Sequence, residues 1–211
     1  MNKDKLLNRA KWLALFTIVY NLIEGLVSIA YGISDETLAL FGFGVDSFVE
    51  VISGIGILHM VLRMQNSEVE IHDKFEKTAL KITGYAFYLL ATGLVIGSAL
   101  NIYFDIKPET TLVGIIVSLI SILTMYFLMN SKLKIGKALN SDAIIVDANC
   151  TKTCFYLSFI LLAASGLYEL FGIQYFDILG SLGIAYFAYT EGKEALEKAV
   201  SGKIICNCDE H

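Results

Sequence analysis

The sequence predicts an all-α membrane protein with six transmembrane helices and both termini in the cytoplasm. Two observations predict this fold class. First, 55% of the 211 residues are hydrophobic and only 18% are charged, and the apolar residues form runs near the ~20 residues that a membrane-spanning helix needs. Second, lysine and arginine cluster in alternate connections between these runs, as the positive-inside rule describes for cytoplasmic loops.

The apolar runs divide the chain into six spans and a tail. The approximate limits of the spans are 11–33, 38–62, 79–103, 110–130, 142–170 and 174–198. Residues 1–200 are therefore expected to form one six-helix transmembrane domain, and residues 201–211 a short cytoplasmic tail. No signal peptide is expected, because the polar N-terminus leads into a full-length apolar helix without a small-residue cleavage site.

Orientation follows from the basic residues. The N-terminal segment, the second-to-third connection, the fourth-to-fifth connection and the C-terminal segment each have at least three, those of the fourth-to-fifth connection being Lys132, Lys134 and Lys137. The remaining connections have Lys107 alone. We therefore expect a multi-pass protein of the cell (plasma or inner) membrane.

The net charge of −5 gives no indication of a nucleic-acid partner.

Span one has two polar residues at mid-depth, Asn21 and Glu24. Either they form a second layer of polar contacts or a proton path beside acids of another span, or they hydrogen-bond for packing alone. The functional interpretation is favoured for Glu24, because a buried acid costs more free energy than a buried amide. For Asn21 both interpretations stay open.

Span two, LALFGFGVDSFVEVISGIGILHMVL, is apolar but contains Asp46 and Glu50. Residues four apart lie on the same side of a helix. An ionisable group at mid-membrane costs roughly 3 kcal/mol on insertion scales. A pair of such groups therefore predicts cation binding, proton transfer, or both.

Spans three, four and six give structural rather than chemical signals. Gly93 and Gly97 of span three predict close helix packing, either within one subunit or between two. Span four, as delimited, has no ionisable residue. Asp177, near the start of span six, is expected to cap that helix.

Span five places Asp147, Cys150 and Cys154 on one helical face, at i, i+3 and i+7. Asp147, like Asn21 and Glu24, is a candidate for the second layer of polar contacts or the proton path. Buried cysteines are often small core residues, but two of them one turn apart beside an intramembrane acid favour metal ligands. Lys152 points away from both cysteines, and we expect it to pair with an acid on another helix or to extend to the interface.

Depth can be compared by counting about 1.5 Å per residue from the expected membrane edges. This puts Glu50 level with Cys150, and Asp46 level with Cys154. Two carboxylates and two thiolates suit a tetrahedral Zn²⁺ or Cd²⁺ site. The tail residues Cys206, Cys208 and His211 form either a soft-metal site at the cytoplasmic mouth or a set of spare reduced side chains; both interpretations stay open.

Four segments resemble the cation diffusion facilitator (cation efflux) family of metal exporters. They are YNLIEGLVSIAYG in span one, ALFGFGVDSFVEVISG in span two, NSDAIIVDANC at the start of span five and FDILGSLGIA in span six. The likeness covers roughly residues 10–200. It implies a six-helix homodimer that exchanges cytoplasmic divalent metal for protons. It also places Asp46, Glu50, Cys150 and Cys154 at the family's metal-binding positions.

Two features depart from the family pattern. The usual His-x-x-x-Asp of span five is Cys-x-x-x-Cys, which changes the ligand chemistry. The usual cytoplasmic domain is expected to be missing, since the chain stops soon after span six. The sequence therefore resembles a divergent member that consists of the membrane domain.

The predicted function is proton-coupled efflux of a divalent heavy metal of the Zn²⁺ or Cd²⁺ type. We expect no enzymatic activity and no prosthetic group; the metal is the cargo, and lipid, metal ions, protons and a second copy of the chain are the partners. Two alternatives stay open. One is a membrane thiol or metal sensor, and the other is a non-transporting interaction protein with a relic metal site.

Overall fold

Six α-helices make up the part of the chain that the computed structural model describes, residues 3–65 and 74–201. They are α1 (Lys3–Ser34), α2 (Leu38–Gln65), α3 (Lys74–Phe104), α4 (Leu112–Leu139), α5 (Asp142–Phe171) and α6 (Tyr175–Ser201). These ranges contain no strand. The all-α prediction is confirmed over the described residues.

Five of these helices, α1 to α5, are long and apolar enough to cross a membrane. The helix α6 has 27 residues, but its second half, EGKEALEKAVS, is highly charged. Its sequence therefore offers a shorter apolar stretch than the others. The sixth span and the side of the membrane on which the termini lie stay predictions.

The helices place apolar side chains outside and polar side chains inside. Leu89 and Tyr103 face outward with 76% and 80% of their surface exposed, while Asn21, Asp46 and Lys132 are buried at 0%, 3% and 2%. Water would favour the opposite arrangement, since exposed apolar surface is costly there. Lipid favours it, because ionisable groups turn toward the bundle interior. The fold is thus that of a multi-pass membrane protein.

The helix α2 lies at the centre and packs against α1, α3, α5 and α6. Its contact with α1 is close enough to exclude side chains at two glycines. A Cβ added to Gly32 would lie 2.5 Å from the Phe41 backbone nitrogen, and one added to Gly44 would lie 2.8 Å from that of Ile29. Backbone-to-backbone packing of this kind brings the polar residues of α1 against the acids of α2.

The predicted Gly93–Gly97 contact is only partly correct. Gly97 packs against Leu38, but a Cβ added to Gly93 would meet no atom within 4 Å among the described residues. The helix α3 instead approaches α6 at Gly84 and Gly192, where a Cβ on Gly192 would lie 3.0 Å from the Gly84 carbonyl oxygen. Gly93 and Gly97 are one turn apart, and of these two only Gly97 faces a neighbouring helix.

Asp177 caps α2, and the prediction that it caps its own helix is wrong. Its carboxylate accepts hydrogen bonds from the backbone N–H groups of Leu38 (2.9 Å) and Ala39 (3.2 Å). These are the first residues of α2, whose N–H groups have no partner within the helix. The hydroxyl of Thr37, the residue that precedes α2, donates a hydrogen bond to the Thr110 carbonyl oxygen at 3.2 Å.

The helix α4 is longer than predicted, ending at Leu139 instead of near residue 130. Lys132, Lys134 and Lys137 therefore lie on a helix and not in a loop. Lys132 is buried, so its use as a cytoplasmic loop charge in the orientation count was wrong. The helix continues because apolar residues recur along it up to the left-handed Asn140 (φ 48°).

Candidate functional site

A cavity of about 60 Å³ inside the bundle contains all four predicted metal ligands in its lining. Asp46 and Glu50 reach it from α2, and Cys150 and Cys154 reach it from α5. The cavity also has walls from α1, α3, α4 and α6. The sequence-predicted residues are thus gathered in one place, although their role as ligands stays a prediction.

Glu50 connects three helices. The Asn21 amide of α1 donates a hydrogen bond to Glu50 Oε2 at 2.7 Å, and the Cys154 thiol of α5 donates to Glu50 Oε1. The Cys154 thiol also lies 3.2 Å from the Cys150 carbonyl oxygen. Neither cysteine is in a disulfide. The contact between Cys154 and Glu50 directly joins a thiol and a carboxylate from the two helices expected to bind metal.

The vertical register of α2 and α5 differs by about one turn from the predicted one. Glu50 meets Cys154, whereas counting from the membrane edges had paired it with Cys150. Glu50 and Cys154 each lie twelve residues, or about 18 Å, beyond the first residue of their helix. If the helices are upright, the first residues of α2 and α5 are therefore about 36 Å apart along the membrane normal. The depth prediction had assumed that they are separated by the ~30 Å thickness of the hydrocarbon.

Glu24 forms a separate buried acid beside Asp46 and Glu50. The Tyr20 hydroxyl donates to Glu24 Oε1 at 2.8 Å, and the Ser47 hydroxyl lies 3.0 Å from Oε2. Ser47 directly follows Asp46 on α2, so this contact brings Glu24 near one of the acids that line the cavity. This position suits the proton path predicted for Glu24, and the hydrogen bonds account equally for its burial.

Asp147 is held by a lysine that the sequence reasoning missed. Lys132 Nζ of α4 lies 3.0 Å from both Asp147 carboxylate oxygens and 3.0 Å from the Thr151 hydroxyl. The two charged side chains are 3% and 14% exposed. A signal existed: Leu128, Lys132 and Ile135 recur at helical spacing, and all three are buried.

The helix α6 contributes two further charged residues to the cavity, Glu191 and Lys198. Lys198 also pairs with Glu194 at 3.1 Å. The sequence analysis did not single out Glu191, and it counted Lys198 among the basic residues of the C-terminal segment; the signal for Glu191 was its position directly after an apolar run. The described lining residues include four acids (Asp46, Glu50, Asp147 and Glu191) and two lysines.

The four predicted ligands share a cavity without converging on one point. Among residues 3–65 and 74–201, no three side chains of His, Cys, Asp or Glu are close enough together to hold a metal ion. For all four side chains to bind one metal ion, some of them would have to rotate toward the point where Cys154 and Glu50 meet. The tail residues Cys206, Cys208 and His211 lie outside the described residues.

Lys152 lies on the outer surface of α5, as its helical position predicts. Its Nζ is 5.8 Å from the centre of the Tyr156 ring, within the range of a cation–π contact. Among the ion pairs between described residues, none joins Lys152 to an acid on another helix. The predicted outward direction is therefore confirmed, and an aromatic ring takes the place of the acid.

Two of the curated proteins that are similar to this chain match it over most of its length, and no protein-family model matches the sequence. One is Uncharacterized transporter MJ0449 of Methanocaldococcus jannaschii, 26% identical over 175 residues. The other is Transmembrane protein 163 of Xenopus laevis, 25% identical over 178 residues. The alignments cover 81% and 83% of this chain but 62% and 61% of the relatives. The chain thus spans about three-fifths of their length, and the first relative's name supports a general role in transport.

Proposed function

We propose that this protein is a proton-coupled exporter of a divalent heavy metal of the Zn²⁺ or Cd²⁺ type. It would be a distant relative of the cation diffusion facilitators that its sequence resembles. The observation that carries the proposal is the shared cavity of Asp46, Glu50, Cys150 and Cys154. Carboxylates and thiolates from two helices are a suitable ligand set for these metals. The proposal also includes a homodimer in the cell membrane, no enzymatic activity, and both termini in the cytoplasm.

The charges around the cavity favour a divalent cation. When all are ionised, the four acids exceed the two lysines of the lining by two charges. Lys132 pairs with Asp147, so Asp46 and Glu50 are the carboxylates of α2 that remain for the metal. Asn21 then holds Glu50 in position. Lys132 neutralises Asp147 and does not bind the metal.

Proton coupling follows from the chemistry of these ligands. A thiol and a carboxylic acid must each lose a proton before they bind a metal, so binding releases protons and proton return displaces the metal. The Cys154 thiol donates a hydrogen bond to Glu50, and this proton is one that the metal would displace. Antiport results when the cavity opens to each side of the membrane in turn.

The test is transport by purified protein in proteoliposomes, with a metal indicator and a pH indicator inside. We expect the native protein to move Zn²⁺ and Cd²⁺ and to move protons the opposite way. Glu50→Gln and Asp46→Asn should nearly abolish both movements. The matched control is Glu197→Gln, an acid of α6 whose side chain is 67% exposed, and it should transport normally.

Three results would count against the proposal. Native-level transport by Glu50→Gln would remove this acid from the site. Metal movement without proton movement would leave a channel or uniporter. Saturable metal binding without any transport would favour the sensor.

A further inference from the structure

A groove of about 540 Å³ lies between α1 and α4, and it shares no lining residue with the cavity that contains Asp46 and Glu50. It opens on the outer surface, since Trp12, Phe16 and Phe127 in its lining are 62%, 51% and 65% exposed. Arg9 of α1 and Lys134 of α4 also line it, and both are exposed. No acidic side chain lines the groove among the residues that the structure describes.

The lining is polar at one end and aromatic at the other. Phe16 follows Arg9 by seven residues, and Phe127 precedes Lys134 by seven. If α1 and α4 run in opposite directions, as in the six-span arrangement, both rings lie about 10 Å deeper along the bundle than the two cations. The groove would then combine a cationic end with an aromatic interior, the polarity of a phospholipid.

The depth of the cations also matches a lipid headgroup. Arg9 lies twelve residues, or about 18 Å, from Asn21, which contacts Glu50 at the predicted mid-depth. Half the hydrocarbon thickness is about 15 Å, so Arg9 reaches the level of the lipid phosphates. Trp12, one turn deeper, then lies in the interfacial region that tryptophan prefers.

We propose that this groove binds one anionic phospholipid from the leaflet on the side of the N-terminus. Arg9 and Lys134 hold the headgroup phosphate, and an acyl chain lies along Phe16 and Phe127. Basic pockets between transmembrane helices recognise lipid headgroups in this way. Opposite charge selects an anionic lipid over a zwitterionic one, and the exposed aromatic floor selects a lipid over a free phosphate.

The chain offers a local probe, because Trp12 is its one tryptophan. The protein is reconstituted in bilayers that contain brominated phosphatidylglycerol or brominated phosphatidylcholine, and quenching of Trp12 fluorescence is titrated against each. We expect the anionic lipid to quench at lower mole fraction. A basic residue near an anionic surface changes affinity about fivefold, so Arg9→Gln with Lys134→Gln should reduce the preference roughly five- to thirtyfold.

The matched control is Lys11→Gln with Lys137→Gln. It removes the same charge from the same two helices, outside the groove lining. This variant should keep the preference of the native protein. Equal quenching by the two lipids in the native protein would overturn the proposal, and so would a preference that survives in Arg9→Gln with Lys134→Gln. Failure of both lipids to quench would also overturn it, because a second copy of the chain would then cover the groove.

Discussion

At the scale of single residues, the Cys154–Glu50 contact defines the chemistry of the cavity. Sulfur ligands are softer than imidazole or carboxylate and favour Zn²⁺ and Cd²⁺ over Mn²⁺ and Fe²⁺. Metal selectivity should therefore depend on the two cysteines of α5. In the proposed mechanism, the acids of α2 would supply charge and proton exchange for any divalent metal.

The selectivity prediction concerns Cys150→His combined with Cys154→Asp. This pair restores the His-x-x-x-Asp pattern of the family that the sequence resembles, and it should keep Zn²⁺ transport while lowering the ratio of Cd²⁺ to Zn²⁺ uptake. Proteoliposome uptake rates measure the ratio. Cys206→Ser with Cys208→Ser removes the two thiols of the tail, which belong to neither α2 nor α5, and should leave the ratio unchanged. An unaltered ratio in the first variant would make Cys150 and Cys154 packing residues.

A second residue-scale prediction concerns the Lys132–Asp147 pair. Lys132→Met leaves the Asp147 carboxylate buried without its cation, and breaking such a pair costs roughly 3–5 kcal/mol. Adding Asp147→Asn removes the orphaned charge, so the double variant should be more stable than Lys132→Met alone. Chemical unfolding in detergent gives both values. If the loss in free energy of unfolding of the double variant equalled the sum of the losses of the two single variants, the two side chains would not interact.

At the scale of helices, the sequence predicts the elements well but their contacts less well. Runs of apolar residues identify all six helices, and the spacing of Asp46 with Glu50 and of Cys150 with Cys154 places each pair on one helix. The register between α2 and α5 was missed by a turn, because it depends on where each helix starts relative to the other. Lys132 was missed because a lysine near a helix end resembles a loop charge until its aspartate partner on α5 is located.

The capping of α2 by Asp177 gives a prediction at the same scale. Asp177→Ala removes both acceptors of the Leu38 and Ala39 N–H groups, and a lost N-cap costs about 0.5–2 kcal/mol. We expect a lower free energy of unfolding, measured by denaturant titration in detergent. Asp177→Asn keeps an acceptor oxygen and should lose less. If both variants matched the native protein in stability, water would satisfy these N–H groups as well as Asp177 does.

At the scale of the whole molecule, the polar interior and apolar exterior explain why charged residues far apart in sequence meet. Glu50, Asp147 and Glu191 belong to three helices, and each turns inward because lipid is a poor solvent for charge. The same partition explains why the described lining residues of the cavity include more acids than lysines. Topology decides whether this cavity lies between two aqueous compartments, as transport requires.

The topology prediction is six spans with both termini on the cytoplasmic side. A reporter that is active only in the cytoplasm should be active when fused after His211, and a reporter that is active only outside should be silent there. A fusion within the connection at Lys107 should give the opposite pattern. Activity of the external reporter both after His211 and at Lys107 would reduce the spans to an odd number and make α6 a surface helix, whereas external activity after His211 with cytoplasmic activity at Lys107 would invert the whole protein.

The central claim is that the thiols of α5 and the acids of α2 bind one metal ion. Titration of the purified protein with Cd²⁺, followed by the ultraviolet thiolate-to-cadmium charge-transfer band, tests it most directly. The titration uses a Cys206→Ser, Cys208→Ser background, so that tail thiols do not contribute. We predict one saturable band that disappears in Cys150→Ser with Cys154→Ser, weakens in affinity in Asp46→Asn and Glu50→Gln, and is unchanged in Glu197→Gln. A background protein without the band, or a band that persists after Cys150 and Cys154 are both replaced, would contradict the claim.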